Sequence, residues 1–200
     1  MSSGGGYSEG VKWVKLTEIC KLSRGRVFSK EYLRDNEGDF PVYSSQTTNN
    51  GEFGRISTYE YDGEYLTWTT DGAYAGTIFY RKGKFSITNV CGLIEIQSSA
   101  IIIRFLYYWL GLEAKKYVYI GMGNPKLMSN QMAAIEIPIP PIAEQQRIVA
   151  ILDKFEKLVN DISEGLPAEI AARRQQYEYY RDKLLTFTKA TACTAKKQKA

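Results

Sequence analysis

The stretch PIPPIAEQQRIVAILD, residues 138–153, separates two kinds of sequence pattern. Proline fixes its own backbone angle and cannot donate to a strand ladder, so PIPP at 138–141 predicts the end of a globular domain. From Ile142 onward apolar residues recur every three or four positions, which predicts a helix. The chain therefore divides near residue 141 into a domain and a helical region.

Residues 11–141 have the sequence pattern of strands and turns, because short apolar and aromatic runs alternate with Gly, Asn, Asp and Pro. Strands are predicted at 13–16, 54–57, 64–69, 76–80, 92–96 and 135–139. Tight turns are predicted at 61–63 and 81–84, where glycine makes a positive φ cheap, and one helix at 98–111. The predicted fold class is α+β, a β-rich globular domain followed by a long coiled-coil-forming helix or a kinked helix pair.

The helical region, 142–187, carries an apolar seam with coiled-coil spacing. The candidate coiled-coil interface residues are Ile148, Leu152, Phe155, Val159, Ile162, Ile170, Tyr177, Tyr180 and Leu184. GLP at 165–167 should break or kink the helix, because proline removes a backbone hydrogen bond. An isolated helix cannot bury such a stripe, so the seam predicts a partner helix. Packing of the stripe against the chain's own globular domain is the alternative.

The 200 residues include no histidine and three distant cysteines, Cys20, Cys91 and Cys193. Without histidine there is no Ser–His–Asp or Cys–His catalytic unit and no His-ligated zinc. The cysteines make neither a disulfide framework nor a four-cysteine metal site, and they suit a reducing compartment. GMGNP at 121–125 is not a GxGxxG phosphate loop. The sequence thus predicts a chain that is not an enzyme and holds no metal or cofactor.

Charge is segregated along the chain. The formal net charge is +4, and residues 188–200 hold four lysines and no acid. Residues 1–30 sum to +4, residues 31–71 to −7 and residues 81–130 to +5. A polyanion could meet the two basic stretches if the fold brings them to one face, and ordinary surface charge is the alternative. The longest apolar stretch, 100–112, is interrupted by an arginine and is too short to span a bilayer, so no membrane partner is expected.

Polar side chains that can read base edges gather in three places. SSQTTNNG at 44–51, TWTTDG at 67–72 and the group around Lys126 each place amides or hydroxyls in a predicted loop. Amides and hydroxyls can read bases, while arginine and lysine hold phosphates. The predicted DNA-binding residues are Arg24, Arg26, Ser44, Ser45, Gln46, Thr47, Asn49, Asn50, Thr69, Thr70, Asp71, Tyr74, Asn89 and Lys126. Each group taken singly is also what a solvated loop shows.

The segment PPIAEQQRI, residues 140–148, resembles the Pro-Pro-x-x-Glu-Gln-x-x-Ile signature of type I restriction–modification specificity subunits. The segments EGLPAEI at 164–170 and QYEYYRDKLL at 176–185 are similar to the conserved helical region of that family. Upstream, VKLTEIC, FPVYSS, DGAYAGT and GKF followed by TN resemble motifs of its target recognition domain. The resemblance spans roughly residues 11–187.

The resemblance implies a non-catalytic subunit whose target recognition domain reads one half of a bipartite target in double-stranded DNA. It implies docking of methyltransferase subunits, which bring S-adenosylmethionine, and of a restriction subunit in the full complex. The implied compartment is the cytoplasm. A non-DNA oligomerisation or adaptor protein that acts through its coiled coil is the alternative function.

A full-length member of that family carries two recognition domains and two helical regions, whereas this sequence shows one of each and no internal repeat. Two copies are therefore expected to pair through the seam into a two-fold homodimer that reads a symmetric target. The predicted division is a disordered 1–10, a target recognition domain 11–141, a conserved helical region 142–187 and a basic disordered tail 188–200.

Overall fold

The computed structural model describes residues 11–161 and 167–187, and the predicted disordered ends lie outside these ranges. The strands described are β1 (Lys12–Lys15), β2 (Cys20–Arg24), β3 (Phe40–Tyr43), β4 (Glu52–Ile56), β5 (Tyr61–Thr69), β6 (Ile78–Ile87), β7 (Cys91–Ile96) and β8 (Glu136–Ile139). β1 and β8 form an antiparallel pair, and the others form a sheet in the order β2-β7-β5-β6-β3-β4. Only β3 and β6 run parallel among the named neighbours of that sheet.

Helices cover the sheets and continue beyond them. Those described are α1 (Leu16–Ile19), α2 (Lys30–Asp35), α3 (Ile103–Glu113), α4 (Ser129–Ala133), α5 (Ile142–Asp161) and α6 (Pro167–Leu184). α3 contributes Phe105, Leu106 and Leu110 to the main core, where they join Leu66 and Trp68 of β5. The mixture of sheet and helix agrees with the predicted class. Of the two alternatives predicted for the helical region, the described residues show a pair of helices and not one long coiled-coil helix.

Every predicted strand overlaps an observed one, while β2 and β3 are absent from the prediction. The turns predicted at 61–63 and 81–84 are wrong. Gly63 lies opposite Gly83 inside the β5–β6 ladder, and both have a positive φ, 141° and 94°. Glycine permits an irregular stretch of ladder here, and the chain reverses later, at 70–77.

The prolines at 138–141 do not stop the ladder at once. Pro138 lies inside β8, opposite Trp13 of β1, so the strand predicted at 135–139 includes the first proline of the stretch and ends before Pro140. A proline is tolerated because β8 pairs with one neighbouring strand only. Its other edge faces no strand, so no backbone N–H is needed there to donate a hydrogen bond. α5 begins at Ile142, directly after the last proline, which confirms the predicted switch to helix.

The helical region folds back on itself. α5 ends at Asp161 and α6 begins at Pro167, so the proline starts a new helix, a position where its missing N–H costs nothing. Phe155 of α5 stacks on Tyr180 of α6 with ring centroids 5.2 Å apart, and Leu185 after α6 is 2% exposed in the main core. α6 therefore returns along α5, and the pair reaches about 30 Å at roughly 1.5 Å per residue.

The chain itself covers much of the predicted seam. Ile148 and Leu152 are fully buried in the main core, and Tyr177 and Leu184 pack against that core. The alternative that the stripe packs on the chain's own domain therefore accounts for these positions, and the expectation that they face a second copy is wrong. The side chains of Val159, Ile162 and Ile170 lie outside the described part of the structure.

Candidate nucleic-acid interface

Arg24, at the end of β2, ties three loops together. Its Nη2 donates to Thr70 Oγ1 at 3.1 Å, and its Nε donates to the Asn89 carbonyl at 3.0 Å. Strand register explains the meeting, because Arg24 and Trp68 both lie opposite Gly92 of β7. We call the group Arg24, Thr70, Asp71, Asn89 and Lys126 the Arg24 cluster.

Lys126 joins the cluster from a distant part of the chain. It pairs with Asp71 in an isolated β-bridge, and its Nζ lies 3.7 Å from Asp71 Oδ1. The next residue, Leu127, donates its N–H to the Thr70 carbonyl at 2.9 Å. With half of its side chain exposed, Lys126 can release the carboxylate and contact a phosphate.

The polar loop 44–51, which we call the recognition loop, connects to the cluster through Thr88. Thr88 Oγ1 donates to Ser44 Oγ at 3.1 Å, and the neighbouring Asn89 donates its N–H to the Arg26 carbonyl at 2.9 Å. Asn49 and Asn50 are exposed at the tip of the loop. A continuous set of contacts thus runs from the recognition loop to Lys126.

The recognition loop has a strained tip held from below. Asn49 and Asn50 both have a positive φ, 48° and 51°, a region that asparagine tolerates better than most residues. Gln46 turns inward, and its amide donates to the Glu52 carbonyl. Ser45 and Thr47 are partly exposed beside it. The two asparagine amides therefore stand free to meet base edges, while the Gln46 amide helps to close the loop.

Three predicted DNA contacts are occupied inside the chain. Thr69 and Thr70 are fully buried, and the Thr69 hydroxyl donates to the Tyr74 carbonyl at 2.6 Å. Arg26 donates to Glu60 at 2.5 Å and lies over the Phe28 ring. Direct base contact by the two threonines is therefore wrong in this conformation, because no part of either side chain reaches the surface. The expected DNA role of Arg26 stays a prediction.

The pKa values of Arg26 and Arg81 are shifted in opposite directions by their surroundings. Arg81 is buried, and the sequence does not indicate it as a site residue. Hydrogen bonds with Tyr32 and Glu60 raise the pKa of Arg26. Arg81 is 2% exposed, and burial lowers its pKa. Its guanidinium lies 3.5 Å from the centroid of the Tyr43 ring, beneath the recognition loop.

Gly51 shows how closely Arg81 supports that loop. Gly51 has a φ of 78°, and a Cβ there would lie 2.9 Å from Arg81 Nη2. Arg81 Nε donates to Thr67 Oγ1 at 3.2 Å. Because the run Arg-Lys-Gly-Lys predicts a turn, the sequence does not indicate that Arg81 supports the recognition loop. Only the strand register reveals this role.

A second arginine network fixes α5 to the domain. Arg104 of α3 contacts Asp153 at 2.6 Å and Glu156 at 2.5 Å, and the Tyr108 hydroxyl donates to Asp153 at 2.6 Å. Burial by itself lowers the pKa of Arg104. The hydrogen bonds that its guanidinium donates to Asp153 and Glu156 have a larger, opposite effect, so the pKa is raised overall. The signal in the sequence was an arginine inside an apolar stretch.

Gln145 locks the same joint with three hydrogen bonds. Its Oε1 accepts the N–H of Ile102 at 2.8 Å, and its Nε2 donates to the carbonyls of Ala100 at 2.8 Å and Pro140 at 2.9 Å. The side chain is fully buried. Two residues of the Pro-Pro-x-x-Glu-Gln-x-x-Ile signature therefore have a structural role. Gln145 joins α5 to the domain by hydrogen bonds, and Ile148 packs in the core of the domain.

The described residues hold no group of three or more Cys, Asp or Glu side chains that could bind a metal ion. Within the same ranges, none of the helices has the length and hydropathy needed to cross a membrane.

Comparison with known proteins decides the family. The profile of the type I restriction modification DNA specificity domain matches residues 8–172. The chain belongs to that family. The resemblance carried by residues 140–148 is thereby confirmed.

Two relatives from Mycoplasma pneumoniae show the extent of the match. The type I restriction enzyme MpnII specificity subunit is 46% identical over 86% of this chain and 52% of its own length. The putative type I specificity subunit S.MpnORF289P N-terminus is 47% identical over 88% of this chain and 96% of its own length. The chain spans about half to two thirds of the longer relatives. Their naming as specificity subunits agrees with the predicted non-catalytic role.

A solved structure shows the same fold. The S subunit of a type I restriction-modification system from M. genitalium superimposes with a TM-score of 0.63, at 15% identity, over 80% of this chain and 43% of that chain. At this identity the likeness concerns the fold alone.

Proposed function

We propose that this chain is a DNA-binding specificity subunit that reads one half of a bipartite target. The observation that carries the proposal is the contact path from the recognition loop through Thr88 to the Arg24 cluster, which ties the loop that bears the amides and hydroxyls to the cations Arg24 and Lys126. Asn49 and Asn50 would read base edges, and Arg24 and Lys126 would hold phosphates.

The proposed partners of the chain in the larger complex are inferred from its family. The subunit would dock methyltransferase subunits, which bring S-adenosylmethionine and perform the chemistry on DNA, and the restriction subunit would join the full assembly. Membership of the specificity family supports this assignment. Because the substrate is cellular DNA, the cytoplasm is the proposed compartment.

Homodimer formation stays in the proposal with a changed interface. Since Ile148 and Leu152 are used inside the chain, a second copy would pack on the outer side of the α5–α6 hairpin. Leu158 and Tyr179 are 46% and 60% exposed there. We expect sedimentation equilibrium at micromolar concentration to show a dimer that Tyr179→Ser weakens. A strict monomer would refute this part.

The decisive experiment measures DNA binding by the chain co-purified with its methyltransferase subunits, after the methylated sites have been mapped. Asn49→Gly and Asn50→Gly remove the amides without straining the positive φ. Each should lower affinity for the mapped target about tenfold, as expected for a lost bidentate base contact, and leave nonspecific binding unchanged.

Lys126→Ala should weaken target and nonspecific DNA alike and reduce the salt slope by about one. Lys154→Ala, an exposed lysine on α5, is the matched control and should change neither. A complex that binds no DNA, or variants that alter only thermal stability, would overturn the proposal in favour of an adaptor role.

A further inference from the structure

A hairpin beside the Arg24 cluster exposes two large apolar side chains. Tyr119 and Lys126 exchange backbone hydrogen bonds at 2.8 and 3.0 Å, which close the hairpin. At its tip, Ile120 is 79% exposed and Met122 is fully exposed. Side chains of this size forgo the gain of burial by staying in water, so their place at a tip calls for a partner.

The ring of Tyr119 covers the glycine at the tip, since a Cβ on Gly121 would lie 2.5 Å from it. Gly123 has open space around it. Ile120 and Met122 flank Gly121, and with the Tyr119 ring, which is itself 64% exposed, they form an apolar point at the end of the hairpin.

The base of the hairpin is anchored in the candidate nucleic-acid interface. The Gly72 N–H donates to the Pro125 carbonyl at 3.1 Å, and Lys126 belongs to the Arg24 cluster. Tyr74, on the loop that Gly72 begins, is 66% exposed. Whatever occupies the Arg24 cluster therefore lies within reach of the tip.

Charge indicates what that occupant is. Residues 115–126 contain three lysines and no acidic residue, and Lys115 is exposed at the foot of the hairpin. A protein partner would bury a broad apolar surface, whereas proteins that kink DNA insert one or two apolar side chains between base pairs and surround them with cations. A narrow apolar point among lysines fits the second pattern.

We propose that Ile120 and Met122 form a wedge that inserts between neighbouring base pairs and kinks the duplex held by the Arg24 cluster. This inference rests on the proposed DNA-binding function and adds shape readout to it. A base step that unstacks easily would be favoured at a position where no side chain contacts a base edge.

The test uses the chain with its methyltransferase subunits and duplexes carrying the mapped target, with 2-aminopurine scanned through successive steps. Because the methyltransferase flips its own target base out of the stack, the probe is kept away from the methylated positions. Wild-type complex should then brighten the probe at one step and shorten the end-to-end distance measured by energy transfer. The double variant Ile120→Ala, Met122→Ala should lose both signals and bind the target about tenfold more weakly, because the contacts that a kinked duplex makes with the protein more than offset the cost of unstacking.

Ile142→Ala, which removes an exposed apolar side chain from the first residue of α5, is the matched control and should keep both signals. Specific binding without brightening at any step, or brightening that survives the double variant, would overturn the wedge and leave the proposed function standing. Loss of co-purification with the methyltransferase in the double variant would overturn it too, by assigning the tip to a protein partner. Failure of the wild-type complex to bind its target would instead refute the proposed function.

Discussion

Replacing Gln145 by alanine tests how the recognition domain and α5 are joined. The substitution removes three hydrogen bonds at 2.8–2.9 Å from a fully buried side chain. It also strands the N–H of Ile102, the residue that precedes α3, because no other side chain caps that helix.

The magnitude follows from these contacts. Each hydrogen bond contributes about 1 kcal/mol net, and a buried donor left unpaired costs about 1–3 kcal/mol more. The expected loss in the free energy of unfolding is therefore about 4–6 kcal/mol. For a chain of 200 residues this lowers the melting temperature by roughly 15 °C.

Urea denaturation, followed by circular dichroism, measures the change. Gln146→Ala is the matched control, because Gln146 is the exposed neighbour on the same helix. A loss below about 1 kcal/mol for Gln145→Ala, or a loss equal to that of the control, would refute the idea that Gln145 clasps the domain.

Gln145→Glu tests the same contacts through the pH dependence of stability. The carboxylate keeps an acceptor for the Ile102 N–H but loses both donors, and burial raises its folded pKa above the unfolded value near 4.3. A raised folded pKa means that stability is greatest below the unfolded pKa and is lost as pH rises through the folded one. We therefore expect this variant to lose stability relative to wild type between about pH 4 and pH 7.

Two further predictions concern the other joint and the buried thiols. Arg104→Met should lower the free energy of unfolding by about 2 kcal/mol in urea denaturation, because it leaves two α5 carboxylates without their charged donor; Arg174→Met, on an exposed pair, should change little, and equal effects would contradict the prediction. Burial raises the pKa of Cys20 and of Cys91 from 9.0 to about 12, so in a Cys193→Ser background stability should fall as pH rises from about 9 to 12. A flat urea midpoint over that range would refute it.

How far the sequence predicts the fold depends on the element. The regular spacing of α5 and the prolines before it locate the switch from sheet to helix at Ile142. β2 is missed because the alternation of CKLSR rests on only two apolar residues, Cys20 and Leu22, and β3 is missed because it contains Pro41. Both become strands through long-range pairing, β2 with β7 and β3 with β4 and β6, which no local pattern encodes.

The helical seam illustrates a different limit. An a/d spacing reports that a partner surface exists, but not whether the partner belongs to another chain. Pro167 decides the matter by starting a second helix that returns along the first. The candidate site shows the same division, since Arg24 and Lys126 are visible as basic loop residues, yet their meeting depends on two strands that share Gly92 as neighbour.

The contact path from Ser44 to Lys126 has a consequence for how such a protein changes its target. Since Thr88 and Arg24 bind several loops at once, a substitution in one loop shifts the groups that the next loop needs. Under the proposed function, a new specificity is therefore most easily acquired by exchanging the whole β-rich domain. Because Gln145 and Arg104 join that domain to α5, an exchange that keeps both sets of contacts should preserve the fold.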